Sequence, residues 1–158
     1  MNTIIREMRA EEYPLLDEFL YQAIFVPEGQ LPPPRSILEK DELRVYVDGF
    51  GTGYADIALV AECAGDVVGA VWVRDMPDYG HVEDGVPSFA ISVLPEHRGQ
   101  GIGSALMKAM LTELRKRDFA QASLAVQKAN YAFRMYRSLG FEIVDENEEE
   151  YIMICKFK

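Results

Sequence analysis

The residues with the clearest chemical potential stand in one turn, Leu94-Pro95-Glu96-His97-Arg98-Gly99-Gln100-Gly101-Ile102-Gly103-Ser104. Glycines at 99, 101 and 103 let the main chain come close to a ligand. The turn leads into a helical pattern, and the first amides of a helix have no partner within it. Those amides and the positive end of the helix dipole attract phosphate. Arg98 can add a charge-assisted contact to a phosphate oxygen.

Three phosphate chemistries compete for such a turn. A nucleoside-triphosphate loop ends in Gly-Lys-Ser/Thr, whereas here Ser104 follows Gly103 directly. A dinucleotide fingerprint spaces its glycines Gly-x-Gly-x-x-Gly right after a strand. This chain has Gly99-x-Gly101-x-Gly103 behind a proline-led spacer, and no acid stands at the end of the next strand to hold a ribose. The third chemistry is the pyrophosphate of coenzyme A. A plainer reading, that the glycines only allow tight strand–helix packing, explains less, because three glycines and an arginine share one turn.

Such a turn needs a strand before it and a helix after it. Residues 88–94 are apolar and end at Pro95. Over 101–117, Ile102, Leu106, Met110 (or Ala109) and Leu114 form one stripe, and Arg115, Lys116 and Arg117 suit a helix C-terminus. Upstream, 3–9 reads as a strand. The stretch 11–25 reads as a helix carrying Leu15, Leu16, Phe19, Leu20, Ala23 and Ile24. Pro27, Gly29 and Pro32-Pro33-Pro34 break that helix into a surface loop, and a second helix is expected over 36–47. Ala64-Gly65-Asp66 turns a hairpin spanning 56–75, and 76–87 is a loop. Downstream come a strand at 122–126, a helix at 130–139 stopped by Gly140, and a closing hairpin from 141–145 and 151–157. This order predicts a mixed α/β (α+β) layer fold.

The 158 residues suggest one domain, 1–158. Folding a chain of this size buries roughly 68–70% of its unfolded surface, enough for a core without staples. Hydrophobic residues at 49% and charged residues at 27% exclude a mostly disordered chain. The longest apolar runs, 57–61 and 67–73, are too short to cross a bilayer, and the charged N-terminus is no signal peptide. A net charge of −10 argues against nucleic acid or an anionic membrane as partner. Glu142, Asp145, Glu146, Glu148, Glu149 and Glu150 crowd one stretch, which reads as a solvated turn. Cys63 and Cys155 read as buried thiols of a reducing cytoplasm. His81 and His97 lie far apart, so no metal site is expected.

Arg98-x-x-Gly101-x-Gly103 resembles the acyl-CoA signature of the GNAT superfamily of N-acetyltransferases. Phe89-Ala90-Ile91-Ser92-Val93 is similar to that family's pantetheine-binding strand. The segment from Asn130-Tyr131-Ala132-Phe133 through Arg134-Met135-Tyr136-Arg137 to Ser138-Leu139-Gly140-Phe141 resembles its late helix. The likeness covers nearly the whole chain. It implies a strongly twisted, mainly antiparallel sheet of about seven strands with helices on both faces. It also implies a splay between the strands at 88–94 and 122–126, where the cofactor enters.

By that resemblance the main chain of Gly99, Gln100, Gly101, Ile102, Gly103 and Ser104 holds the pyrophosphate, with Arg98 flanking. Ile91, Ser92 and Val93 pair with the pantetheine arm, and an amide there polarises the thioester carbonyl. Asn130 resembles the asparagine that bonds this arm, although it stands six residues before Tyr136 (136 − 130), one fewer than in many members. It also suits a plain helix N-cap. Tyr136 resembles the general acid that protonates the departing thiolate. A phenol with a reference pKa near 10 is protonated at neutral pH. The alternative for Tyr136 is packing on Phe133 or Met135.

Some members carry a base on the strand after the long helix, and the matching position here is Ala125. Glu62, Asp56, Asp75, Glu83, Asp84 and His81 are the remaining candidates, and surface roles suit each better. The implied function is transfer of an acetyl group from acetyl-CoA to an amine of a small molecule or peptide, in the cytoplasm and without a metal. The alternative is a GNAT-fold acyl-CoA-binding sensor or partner module without transfer. A homodimer is left open. The segments 25–55 and 74–87 should line the acceptor site with Phe25, Tyr46, Phe50, Tyr54, Tyr79 and His81. Their acids, Asp48, Asp56, Asp75, Asp78, Glu83 and Asp84, favour a cationic acceptor.

Overall fold

The computed structural model describes residues 2–158. Its strands are β1 (Thr3–Glu7), β2 (Ile57–Cys63), β3 (Asp66–Arg74), β4 (Ser88–Val93), β5 (Gln121–Gln127), β6 (Glu142–Glu146) and β7 (Glu150–Lys156). Its α-helices are α1 (Leu16–Ala23), α2 (Asp41–Arg44), α3 (Ile102–Lys116) and α4 (Ala132–Ser138). The strands form one seven-stranded sheet in the order β1-β2-β3-β4-β5-β7-β6. Every neighbouring pair is antiparallel except β4 and β5, which run parallel. This is the mixed, mainly antiparallel sheet with helices on both faces that the sequence leads one to expect.

The apolar runs of β2 and β3 are continuous because both faces of the sheet are covered. Ile57, Leu59 and Ala61 of β2, with Val71 and Val73 of β3, enter the core beneath α3. Their alternate neighbours, Ala58, Val60, Ala70 and Trp72, enter a second core beneath α1 with Leu16, Phe19 and Leu20. The stripe Ile102, Leu106, Met110 and Leu114 is buried along the whole of α3. The β2–β3 hairpin closes through Ala64 and Gly65, both at positive φ (53° and 87°). That is the conformation a two-residue hairpin with the right twist requires.

The expected helix over 36–47 is instead a 3-10 turn at Arg35–Glu39 followed by the short α2. Lys40, extended at ψ 139°, separates them. Asp41 and Glu42 then open a new first turn, where the helix dipole favours acids. Beyond α2 the chain coils through 45–51 and is pinned to the sheet. Trp72 Nε1 donates to Tyr46 O (3.0 Å). Arg74 donates to the carbonyls of Val45 (3.1 Å) and Asp48 (2.8 Å). The expected helix over 11–25 likewise splits, into a 3-10 turn at Ala10–Leu15 that contains Pro14 and the α-helix α1. Cys63 and Cys155 are free and buried.

Candidate active site

β4 and β5 share a single register pair, Ser88 with Ser123. Beyond it they separate towards their C-terminal ends, giving the splay. Two cavities, of about 630 and 440 Å³, open on the two sides of this split. Ala23, Ile24, Phe25, Ile91, Asn130 and Tyr136 line both of them.

The larger cavity is walled by the glycine turn. Gly99 and Gly101 adopt positive φ (75° and 82°), and a Cβ built on either would meet nothing within 4 Å. Gly103 has ordinary φ, and its Cβ would meet only Val93 Cγ2, at 4.0 Å. Packing therefore requires no glycine at 103, and the space before the turn stays open for a ligand. Gly101 is the N-cap of α3 and offers no side-chain cap. The first bond into α3 runs from Ala105 N to Gly101 O (3.1 Å), so among the described residues the amides of Ile102, Gly103 and Ser104 have no main-chain partner. An uncapped fifteen-residue helix beside a glycine turn has the free amides and dipole that could hold a diphosphate.

β4 forms the next wall. Leu94 N donates to Val68 O (2.8 Å), and antiparallel bonding alternates along a strand. Ser92 and Ala90 therefore turn their main-chain groups towards β3, while Ile91 and Val93 turn theirs towards the split. Pro87 follows the same phase, with its carbonyl accepting from Ser123 N of β5 (2.9 Å). The Ser92 hydroxyl points away from the split, donates to Phe19 O (2.6 Å) and fastens α1 to β4. Arg98 lines the larger cavity while tying two elements together. Its Nε donates to Val93 O (2.9 Å) and its Nη2 to Gln22 O and Oε1 (both 3.3 Å). Gln100 and Ser104 belong to the turn but do not line the cavity, whereas His97 and Gln22 do.

Asn130 Oδ1 accepts from Ala132 N (2.9 Å), so its oxygen is engaged at the start of α4 while its amide nitrogen can donate at the junction. Tyr136 is buried in α4. Its ring packs edge-on against Phe141, 6.1 Å between centroids. Burial pushes its phenol up to about 12, which keeps the proton in place for donation.

The smaller cavity takes Phe25, Tyr46 and Tyr79 from the two segments expected to line it. Phe50 is in the core instead, and Tyr54 is exposed, donating to Asp75 (2.7 Å). None of the six acids expected there lines the cavity: its acids are Glu42 of α2, from the first of those segments, with Glu149 and Glu150 of the closing hairpin. The acidic stretch is thus more than the solvated turn its composition suggests. β6 is solvated along its length, but residues 149–150 swing into the site. Burial, reinforced by the charges of Glu149 and Asp78, raises the Glu150 pKa from its ordinary value, against a hydrogen bond from Asn147. Asp78 accepts from Ser88 Oγ (2.7 Å) and from the Tyr46 hydroxyl, and burial raises its pKa too.

Three of the base candidates expected from the sequence are tied into the framework. Asp56 is not a surface group: it forms a buried pair with Arg74 (3.0 Å), its side chain only 3% exposed. Glu62 pairs with Arg6 (3.0 Å) and Glu83 accepts from Gln121 (3.1 Å). Asp75, His81 and Asp84 bring ligand-type atoms within 4.8 Å of one another, a convergence that sequence spacing did not show. None of these six lines either cavity.

The profile of the acetyltransferase (GNAT) family matches residues 6–141. The chain therefore belongs to the GNAT acetyltransferase family. It is 39% identical over 85 residues to a mycothiol acetyltransferase of Thermobispora bispora, covering 52% of this chain and 29% of that protein. It is 32% identical over 108 residues to mouse N-acetyltransferase 8, covering 68% and 46%. The chain thus spans less than half the length of either relative. In fold it resembles a GNAT acetyltransferase of Streptococcus pneumoniae (TM-score 0.74, 18% identity, 99% of this chain and 100% of the other). It also resembles the PaiA N-acetyltransferase of Thermoplasma acidophilum, solved with coenzyme A (TM-score 0.71, 17% identity, 99% and 100%). No helix among the described residues is long and apolar enough to cross a membrane.

Proposed function

We propose that this chain, as a single domain, transfers the acetyl group of acetyl-CoA to an amine of a small molecule or peptide. The observation that carries this reading is the β4/β5 split with a different cavity on each side, joined at Ile91, Asn130 and Tyr136. The glycine side suits a diphosphate, and the other side suits a cation.

Coenzyme A would lay its pyrophosphate on the main chain of 99–104 and its pantetheine arm along Ile91 and Val93. The arm adds a strand where β5 has departed. The Asn130 amide would bond the arm, and Arg98 would hold the end of β4 and α1 in place beside it. An amide facing the split stabilises the oxyanion as the amine attacks the thioester carbon. Tyr136 then protonates the departing thiolate. Glu42, Glu149 and Glu150 outnumber Lys40 on the acceptor wall, which favours an amine bearing positive charge.

The test pairs calorimetry of coenzyme A binding with thiol release from acetyl-CoA across a panel of amines. Binding together with amine-dependent release is the expected result. Binding without release from any amine would instead favour an acyl-CoA sensor.

A further inference from the structure

We propose that Glu150 is the general base of this chain, taking the proton from the acceptor amine, so that β7 supplies the carboxylate that β5 lacks at Ala125. The assignment rests on the acetyl-transfer reading above. It begins with strand register. Ala125 of β5 lies opposite Ile152 of β7, and Gln127 lies opposite Glu150. Their neighbours Leu124, Val126 and Met153 enter the core beneath α3. Side chains alternate, so those of residues 125, 127, 150 and 152 share the opposite face. Glu150 is the diagonal neighbour of Ala125, about 7–8 Å away by sheet geometry. A glutamate side chain reaches across much of that gap. Ala125, Glu150 and Tyr136 line the same cavity, which places a carboxylate and a phenol on one acceptor pocket.

The surroundings of Glu150 suit a proton acceptor. Around it are Glu149 beside it in the chain, Asp78 and Tyr79 from the 76–87 loop, and Glu42 from α2. The Tyr46 hydroxyl is held by Asp78, and Lys40 is the one cationic side chain on the cavity wall. Among the described residues no cation pairs with Glu150, whereas Glu146 nearby is taken by Lys128 (2.6 Å). Partial burial and anionic neighbours raise its proton affinity, bringing it nearer to working pH.

In the reaction, Glu150 takes one proton from the ammonium form of the acceptor. The freed nitrogen lone pair forms the C–N bond at the thioester carbon, and the carbonyl π pair moves to oxygen. Collapse breaks the C–S bond while Tyr136 gives its proton to sulfur. The surplus proton on nitrogen then refills the Tyr136 oxygen, and Glu150 returns its own proton to solvent. The products are amide, thiol and one proton.

The experiment measures kcat, acceptor KM and their pH profiles for the parent, Glu150→Gln and Glu148→Gln, with the best amine of the panel. Calorimetry with coenzyme A checks that each variant is folded. The expected result is a loss of about 10²-fold or more in kcat for Glu150→Gln and disappearance of the acidic limb of its profile. Coenzyme A binding should be retained. Glu148→Gln removes a charge from the same hairpin and should keep the parental profile. A Glu150→Gln protein with parental kcat and profile, or with only a raised KM, overturns the assignment alone. A parent that releases no thiol with any amine overturns the transfer reading along with it.

Discussion

Ser88 and Ser123 form the one register pair that joins β4 to β5, and the hydroxyl of each is fixed to the same short loop. Ser88 Oγ donates to Asp78 Oδ1 (2.7 Å) and Ser123 Oγ to Gly80 O (2.7 Å). Residues 78–80 therefore clasp the closed end of the split. This clasp sets where the strands part, and hence how deep the two cavities run.

Gly80 is the tightest point of that clasp. A Cβ there would come within 2.9 Å of Ala125 N and 3.0 Å of the Leu124 carbonyl carbon, both main-chain atoms that cannot rotate away. Gly80→Ala should cost about 1–3 kcal/mol of stability through overpacking. Denaturant unfolding measures it, and an unchanged midpoint would show that β5 yields freely.

The proposed pyrophosphate site has a cleaner test at Gly103 than at Gly101. Gly101 sits at φ 82°, so any side chain there also strains the backbone. Gly103 has ordinary φ and open space ahead of it. Gly103→Val should fold normally and lose coenzyme A affinity by about tenfold or more, roughly 1.4 kcal/mol. Calorimetry with coenzyme A reads it. Parental affinity in the folded variant would remove the pyrophosphate from this turn.

Local signals were legible in the sequence, and convergent ones were not. The glycine turn, the α3 stripe and the Ala64-Gly65 hairpin each lie within a few residues, so turn chemistry and periodicity expose them. Asp56 gave no such signal, because its burial depends on Arg74 arriving from β3. Ser92 was readable as part of a strand, but its bond to Phe19 needs α1 folded across β4. Glu149 and Glu150 reach the smaller cavity only because β7 inserts between β5 and β6, and an acidic run alone looks solvated. The 36–47 helix failed at Lys40, where Asp41-Glu42 opens a competing N-terminus.

Tyr136 offers a separation of chemistry from binding. Tyr136→Phe keeps the ring against Phe141 and removes the donor. Turnover should fall by about 10²–10⁴-fold while coenzyme A affinity stays near the parent's. With its phenol pushed up to about 12, Tyr136 should remain protonated through the mildly alkaline range. The parental rate should therefore show no alkaline fall from this group there. A variant with parental turnover would leave Tyr136 as a packing residue.

The charge of the acceptor follows from the cavity wall more directly than from the net charge of −10. Glu42, Glu149 and Glu150 line a cavity of about 440 Å³ together with one lysine, Lys40. Carboxylates in a partly enclosed pocket attract a cation more strongly than the same groups in open water, and salt weakens the long-range part of that attraction. Amines that carry a second positive charge should therefore give higher kcat/KM than neutral or anionic ones of similar size. Raising the salt concentration should lower that advantage mainly through KM. Glu149→Gln should raise KM for the cationic acceptor and leave KM for a neutral amine nearly unchanged. Kinetics on matched cationic, neutral and anionic amines at two ionic strengths decide it. A preference for anionic amines, or a cationic preference indifferent to salt, would show that shape rather than charge selects the acceptor.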